Sequence, residues 1–156
     1  MEILNNIWNV LCTENAELLD LILIPLSFFE NFLVLMLFLN LLNIKCSTKQ
    51  KLVYMIFTPL CSMLATSFAP NPFDIVCNYL IFFVSIYFIL KPGVIKTLFA
   101  VFIPSLIFGL VDALILNIYI KVLNMSYEQV SSIPIFRLLY MLIVYTCIGF
   151  IILILK

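Results

Sequence analysis

Histidine is absent from this 156-residue chain. That gap removes the commonest general base, the commonest proton shuttle and the commonest zinc ligand together, and it excludes serine–histidine and cysteine–histidine catalysis. Charge is scarce as well. Only 10% of residues are charged, eight acidic and eight basic, so the formal net charge is zero. With no basic excess the chain lacks the electrostatic footprint of a nucleic-acid binder, and no field of one sign steers a charged substrate. There is no glycine-rich phosphate loop, no pair of carboxylates at catalytic spacing and no cluster of metal-ligand residues. The five cysteines, Cys12, Cys46, Cys61, Cys77 and Cys147, show no CxxC spacing, and three lie inside apolar runs. They read as small packing hydrophobes rather than a disulfide framework or a metal site. Neither a catalytic centre nor a cofactor or metal is expected. A cleaved export signal is not expected either, because Glu2 stands where basic residues would be and no small-residue cleavage site follows.

What fills the chain is apolar. Hydrophobic residues make up 65% and aromatics 15%, against roughly 45–50% apolar in a soluble domain. Long apolar runs at residues 18–42, 52–68, 73–90, 97–120 and 134–155 each approach the roughly 17–25 residues that cross a bilayer as a helix. The connections between them carry turn residues: Ser47-Thr48, Pro70-Asn71-Pro72 and Lys91-Pro92-Gly93. The expected fold is therefore an all-α integral membrane protein, a bundle of about five transmembrane helices forming one polytopic domain over residues 1–156. A short amphipathic helix is expected over residues 1–13, with Ile3, Leu4, Ile7, Trp8 and Leu11 at helical spacing and Glu2, Asn5, Asn6 and Asn9 turned away. That is the pattern of a helix lying in the headgroup region with a Trp anchor. Ser126 and Gln129 have capping-box spacing and predict a short helical turn between the last two spans.

Lys45, Lys49, Lys51, Lys91, Lys96 and Lys156 fall on one side of such a bundle, leaving Lys121 and Arg137 on the other. The positive-inside rule makes the lysine-rich side cytoplasmic, so the expected topology in the plasma membrane is N-terminus outside and C-terminus inside.

Ionisable residues within spans carry the functional question, because a charge at mid-bilayer costs at least about 2.5–3.5 kcal/mol unless it is paired or faces a cavity. Here they are Glu30, Asp112 and Arg137. Ser27, Glu30 and Asn31 form a polar face on the first span beyond Pro25. On the fourth span Ser105, Gly109 and Ala113 repeat every four residues, a seam that predicts close helix approach and a central place for that helix. Asp112 and Asn117 are expected near Arg137, and an Asp112–Arg137 ion pair is geometrically reasonable. Glu30, Asn31, Asp112, Asn117 and Arg137 thus form either a register-fixing polar network or a ligand site, and both roles require inward-facing side chains. Asn40, Asn78 and Asn117 are expected to bond between helices or to pack. Tyr119 and Tyr127 are placed as interface anchors. Pro25, Pro59 and Pro104 can kink their spans.

Three stretches carry a resemblance: Ile24-Pro25-Leu26-Ser27-Phe28-Phe29-Glu30; the basic turn from Asn43-Ile44-Lys45 to Lys49-Gln50-Lys51; and Leu123-Asn124-Met125-Ser126-Tyr127-Glu128-Gln129 leading to Ile133-Pro134-Ile135-Phe136-Arg137. They resemble the N-terminal membrane region of clostridial sensor histidine kinases of the accessory-gene-regulator type, the peptide-pheromone receptors of quorum sensing. The resemblance implies a membrane bundle that receives an extracellular cyclic peptide and signals to a cytoplasmic dimerisation helix and kinase module. It also implies a homodimer, for which the chain has no GxxxG motif. A phosphoacceptor histidine and ATP-binding boxes are missing, and one membrane helix fewer is present than is usual in that family, so no kinase activity is expected of this chain alone. Two rival readings stand beside it. One is a small transporter, or the substrate-binding subunit of one, with Glu30 and Asp112 lining a midplane site. The other is a scaffold whose helices recruit partners.

Overall fold

A computed structural model describes residue 8, residues 10–68 and residues 73–156. Among these residues there is no strand, and five helices are long and apolar enough to cross a membrane. They are α1 (Ala16–Leu41), α2 (Thr48–Phe68), α3 (Phe73–Ser85, continued by a π-helical turn, Ile86–Leu90), α4 (Val94–Leu123) and α6 (Pro134–Ile154), with a short α5 (Tyr127–Ser132) before the last. The protein is an all-α, multi-pass membrane protein. The expected interfacial helix over residues 1–13 and the connection at residues 69–72 lie mostly or wholly outside the described residues. Of the former, Trp8 and residues 10–12 are helical, and Trp8 is exposed.

Local chemistry sets the helix ends. Asn15 caps α1, its Oδ1 accepting from the Leu18 amide at 3.0 Å. The helix closes on Asn43 at φ 47°, with the Ile44 amide donating back to Leu39 O at 3.1 Å, the i to i−5 bond of a left-handed C-cap. A capping box opens α2: the Ser47 amide donates to Gln50 Oε1 at 2.9 Å, and the Gln50 amide donates to Ser47 Oγ at 3.3 Å. Its polar first turn is why α2 starts four residues before the apolar run begins. Lys91, at φ 54°, ends the π turn by donating its amide to Ile86 O, and Gly93 at φ 95° reverses the chain into α4. A side chain at Gly93 would strain that left-handed turn. Asn124 repeats the closing device after α4, at φ 52° with Met125 donating to Ile120 O. Ser126 and Gln129 form the expected capping box at the start of α5.

The chain divides into two compact units: residues up to Leu26 with Phe108–Ile151, and Ser27–Ile107 with Ile152–Lys156. In the second unit, Leu35, Phe38 and Leu39 of α1, Tyr54 of α2, Ile86 and Leu90 of the π turn, and Ala100 and Val101 of α4 make the core. The Phe38 and Tyr54 rings meet edge to face at 5.8 Å. Gln50 Nε2 donates to Ile89 O at 2.9 Å, and the Ser62 hydroxyl donates to Asn78 Oδ1, so α2 and α3 are tied at both ends. Asn40 Nδ2 reaches Ile152 O at 3.5 Å. Asn40 and Asn78 therefore do bond between helices.

Apolar side chains that water would reject are displayed outward along α4. Phe102, Leu106, Leu110, Leu114, Ile118 and Val122 recur every four residues, all exposed, which is a lipid-facing stripe. Beside it Gly109 and Ala113 are exposed too, and a Cβ at Gly109 would meet nothing within 4 Å. Among the described residues, no helix packs on the expected seam at Gly109, while Ser105 is half-buried. The helix with the largest buried share is α1, not α4: the apolar residues of α4 are mostly spent on lipid, while the C-terminal half of α1 supplies the core.

Candidate functional site

Asp112 and Arg137 belong to the same unit but do not form the expected ion pair. A tyrosine stands between them. On α6, Arg137 and Tyr140 are three residues apart and share a face. Tyr140 is 1% exposed, and a phenol buried among apolar neighbours needs a hydrogen-bond partner. It finds Asp112: the hydroxyl donates to Asp112 Oδ1, with the Asp112 backbone carbonyl 3.1 Å away. The Arg137 guanidinium carbon lies 5.8 Å from the centroid of the same ring, within cation–π range. One side chain thus engages the carboxylate through its hydroxyl and the guanidinium through its π face.

A second tyrosine braces the first. Tyr119, buried on α4, lies 5.8 Å from Tyr140 by ring centroids at 56° and donates its hydroxyl to Phe136 O at 3.2 Å. Its assignment as an interface anchor is corrected, since the ring faces the interior. Tyr127 is exposed. On the same face of α6 as Val144 and Ile148, Tyr145 donates to Leu26 O at 3.3 Å, tying α6 to α1 within this unit. The Ser132 hydroxyl donates to Glu14 at 3.0 Å, joining the end of α5 to the segment before α1.

The other expected site residues go elsewhere. Asn117 is exposed, and its Nδ2 donates to Ala113 O of its own helix at 2.7 Å. It is not part of an inward-facing network, because a side chain four residues below a carbonyl on the same face is satisfied locally. Asn31 is buried and donates to Ser27 O at 2.8 Å, while Glu30 is half-buried beside it. Both belong to the second compact unit, with Ser27. Sequence reasoning missed Tyr140 and Tyr145 and gave Tyr119 a different role. The available signal was a phenol inside an apolar span, three residues beyond an arginine.

The described residues hold no group of three or more carboxylates and thiols placed to bind a metal, and the five cysteines are free and half-buried. Cys46, in the turn between α1 and α2, has its thiol pushed above its ordinary pKa by burial, with nearby Lys51 pulling the other way. No protein family, curated protein or solved structure matches the chain.

Proposed function

We propose that the chain is a membrane-embedded sensor domain that receives an extracellular signal, a peptide pheromone by the resemblance, and passes it to a cytoplasmic histidine-kinase partner. The observation that supports this best is the open state of the Asp112–Tyr140–Arg137 cluster. In a closed salt bridge the two charges would consume each other's binding capacity. Held on opposite parts of one tyrosine, the carboxylate keeps acceptor positions and the guanidinium keeps donors. Ionised groups at membrane depth that retain such capacity are the usual marks of a ligand or relay site.

The lysine distribution supports an orientation in which Glu14, α5 and the cluster face outside and the C-terminus faces the cytoplasm. Helices α1, α4 and α6 each contribute residues to both compact units, which supplies continuous backbone from the receiving unit to the other. A ligand shifts such a system only by its differential affinity for two states. Asp112 and Arg137 are the groups on which that difference would act.

The test is hydrogen exchange of the full chain in lipid nanodiscs, titrated with a panel of apolar cyclic peptides. Saturable protection within residues 108–151, lost in Asp112→Asn and Arg137→Gln while both variants remain folded, is the expected result. Absence of saturable binding by any peptide, or binding indifferent to both substitutions, overturns the reading. Proton-linked uptake in proteoliposomes that Glu30→Gln abolishes would replace it with the transporter.

A further inference from the structure

The second unit gathers Lys45, Lys49, Lys51, Lys91 and Lys96 at one end. Lys45 and Lys49 lie around the turn that opens α2, and Lys51 lies in its first turn. Lys91 ends the π turn, and Lys96 lies in the first turn of α4. The bond from Gln50 Nε2 to Ile89 O draws the α2 start and the end of the π turn together. Ile44 and Cys46 of the turn pack on the core that contains Leu90. Residues 42–53 and 86–97 contain no aspartate or glutamate, so these five positive charges have no acidic neighbour in the segments that carry them. Four of the five are exposed, and Lys51 is half-buried.

A groove opens at this end. It has a volume of about 300 Å³ and is lined by Tyr87, Phe88, Lys91 and Gly93. Beside it Phe88, Val94 and Ile95 are exposed at 64%, 53% and 71%, apolar surface of the kind that acyl chains cover. A lysine and a tyrosine hydroxyl next to rings and aliphatic side chains at the end of membrane-crossing helices match a molecule that is anionic at one end and hydrocarbon at the other. A soluble acidic peptide would satisfy the lysines but leave the adjoining apolar surface uncovered.

We propose that this lysine-rich end binds anionic phospholipid, with a phosphate headgroup at Lys91 in the Tyr87–Gly93 groove and the remaining lysines supplying the surrounding field. The proposal does not depend on the signal-receiving role proposed for Asp112, Tyr140 and Arg137. Native mass spectrometry of the full chain, released from nanodiscs of equal phosphatidylglycerol and phosphatidylcholine, tests it. Retained lipid is expected to favour phosphatidylglycerol, with selectivity falling about fivefold for each of Lys91→Gln and Lys96→Gln. Lys121→Gln, at the far end of α4, should leave selectivity unchanged. Raising the salt from 0.1 to 0.5 M should weaken the preference before release. Equal retention of the two lipids overturns the proposal. So does a preference that Lys91→Gln and Lys96→Gln leave intact, or one that Lys121→Gln reduces as much as they do. Displacement of phosphatidylglycerol by inorganic phosphate at equal headgroup concentration would reassign the site to a free anion and likewise overturn it.

Discussion

Replacing Tyr140 by Phe removes one oxygen and leaves the ring, so it separates the two halves of the cluster. The ring still packs against Tyr119, and its face still lies under Arg137. What disappears is the only described hydrogen bond to the Asp112 carboxylate. A hydrogen bond to a charged group contributes about 1.5–3 kcal/mol in soluble proteins, but interhelical bonds in membranes average about 0.6 and reach about 1.7 kcal/mol. Tyr140 is buried and its acceptor is ionic, so the upper part of the membrane range applies, about 1–2 kcal/mol. The informative measurement is a double-mutant cycle of Tyr140→Phe and Asp112→Asn, read as unfolding free energy in bicelles titrated with a denaturing detergent. The coupling between the two sites should then be about 1 kcal/mol or more. In the double variant, the single-mutant losses should overlap rather than add. A coupling below about 0.3 kcal/mol, within ordinary additivity, would refute the hydroxyl–carboxylate contact and with it the reason for treating Asp112, Tyr140 and Arg137 as one unit. Tyr119→Phe, which loses only a bond to the backbone carbonyl of Phe136, serves as the smaller reference.

Gly109→Ala adds a Cβ where nothing lies within 4 Å, so detergent titration should show α4 more stable by about 0.5–1 kcal/mol; destabilisation would mean that a helix of another chain sits on the Gly109–Ala113 face. Cys46, with its thiol pushed up by burial, should react slowly with maleimide at pH 7 and about tenfold faster per pH unit until the raised pKa is reached; a rate already at plateau near pH 8 would contradict that burial. Thr58→Val removes a fully buried hydroxyl that interacts with the equally buried Tyr54 hydroxyl one turn earlier on α2 and strands that phenol, so the unfolding free energy should fall by about 1–3 kcal/mol; an unchanged value would show that the two hydroxyls do not support each other.

Hydropathy alone located the five crossing helices to within a few residues, because a bilayer imposes one requirement on every residue in a span and a run of apolar residues answers it. The misjudged ends have a shared cause. At Thr48–Lys51 the helix begins with polar and cationic residues that an apolar run leaves out, and at the start of α4 Lys96 cuts Val94 and Ile95 off from the run that follows; the capping box of Ser47 and Gln50 was not read from the sequence. Which face of each helix turns inward was much less legible. On α4, small residues and leucines alternate around the helix, and a small-residue repeat predicts close contact only if some helix is there to make it. Among the described residues nothing lies within 4 Å of a Cβ built at Gly109, Ala113 is exposed, and the stripe from Phe102 to Val122 fits lipid.

The cluster around Tyr140 shows why a charge count finds the right neighbourhood and the wrong bond. Opposite charges on adjacent helices invite the inference of an ion pair, since pairing lowers the cost of burying each. A tyrosine three residues from the arginine offers a geometry in which the carboxylate receives a hydroxyl proton and the guanidinium receives a π face, and neither long charged side chain has to extend to meet the other. The arrangement spares the entropy of holding two flexible side chains together and moves the organising role to a rigid ring with one polar atom. It also leaves both ions with unused hydrogen-bonding capacity, which a purely structural salt bridge would not. A role in fixing helix register and a role in ligand contact therefore separate at one position. Tyr140→Phe should cost fold stability in either case, whereas Arg137→Gln, which removes a charge that the Asp112 carboxylate does not bond, gives up only the contact with the Tyr140 ring, about 0.5–1 kcal/mol, and should be decisive in binding.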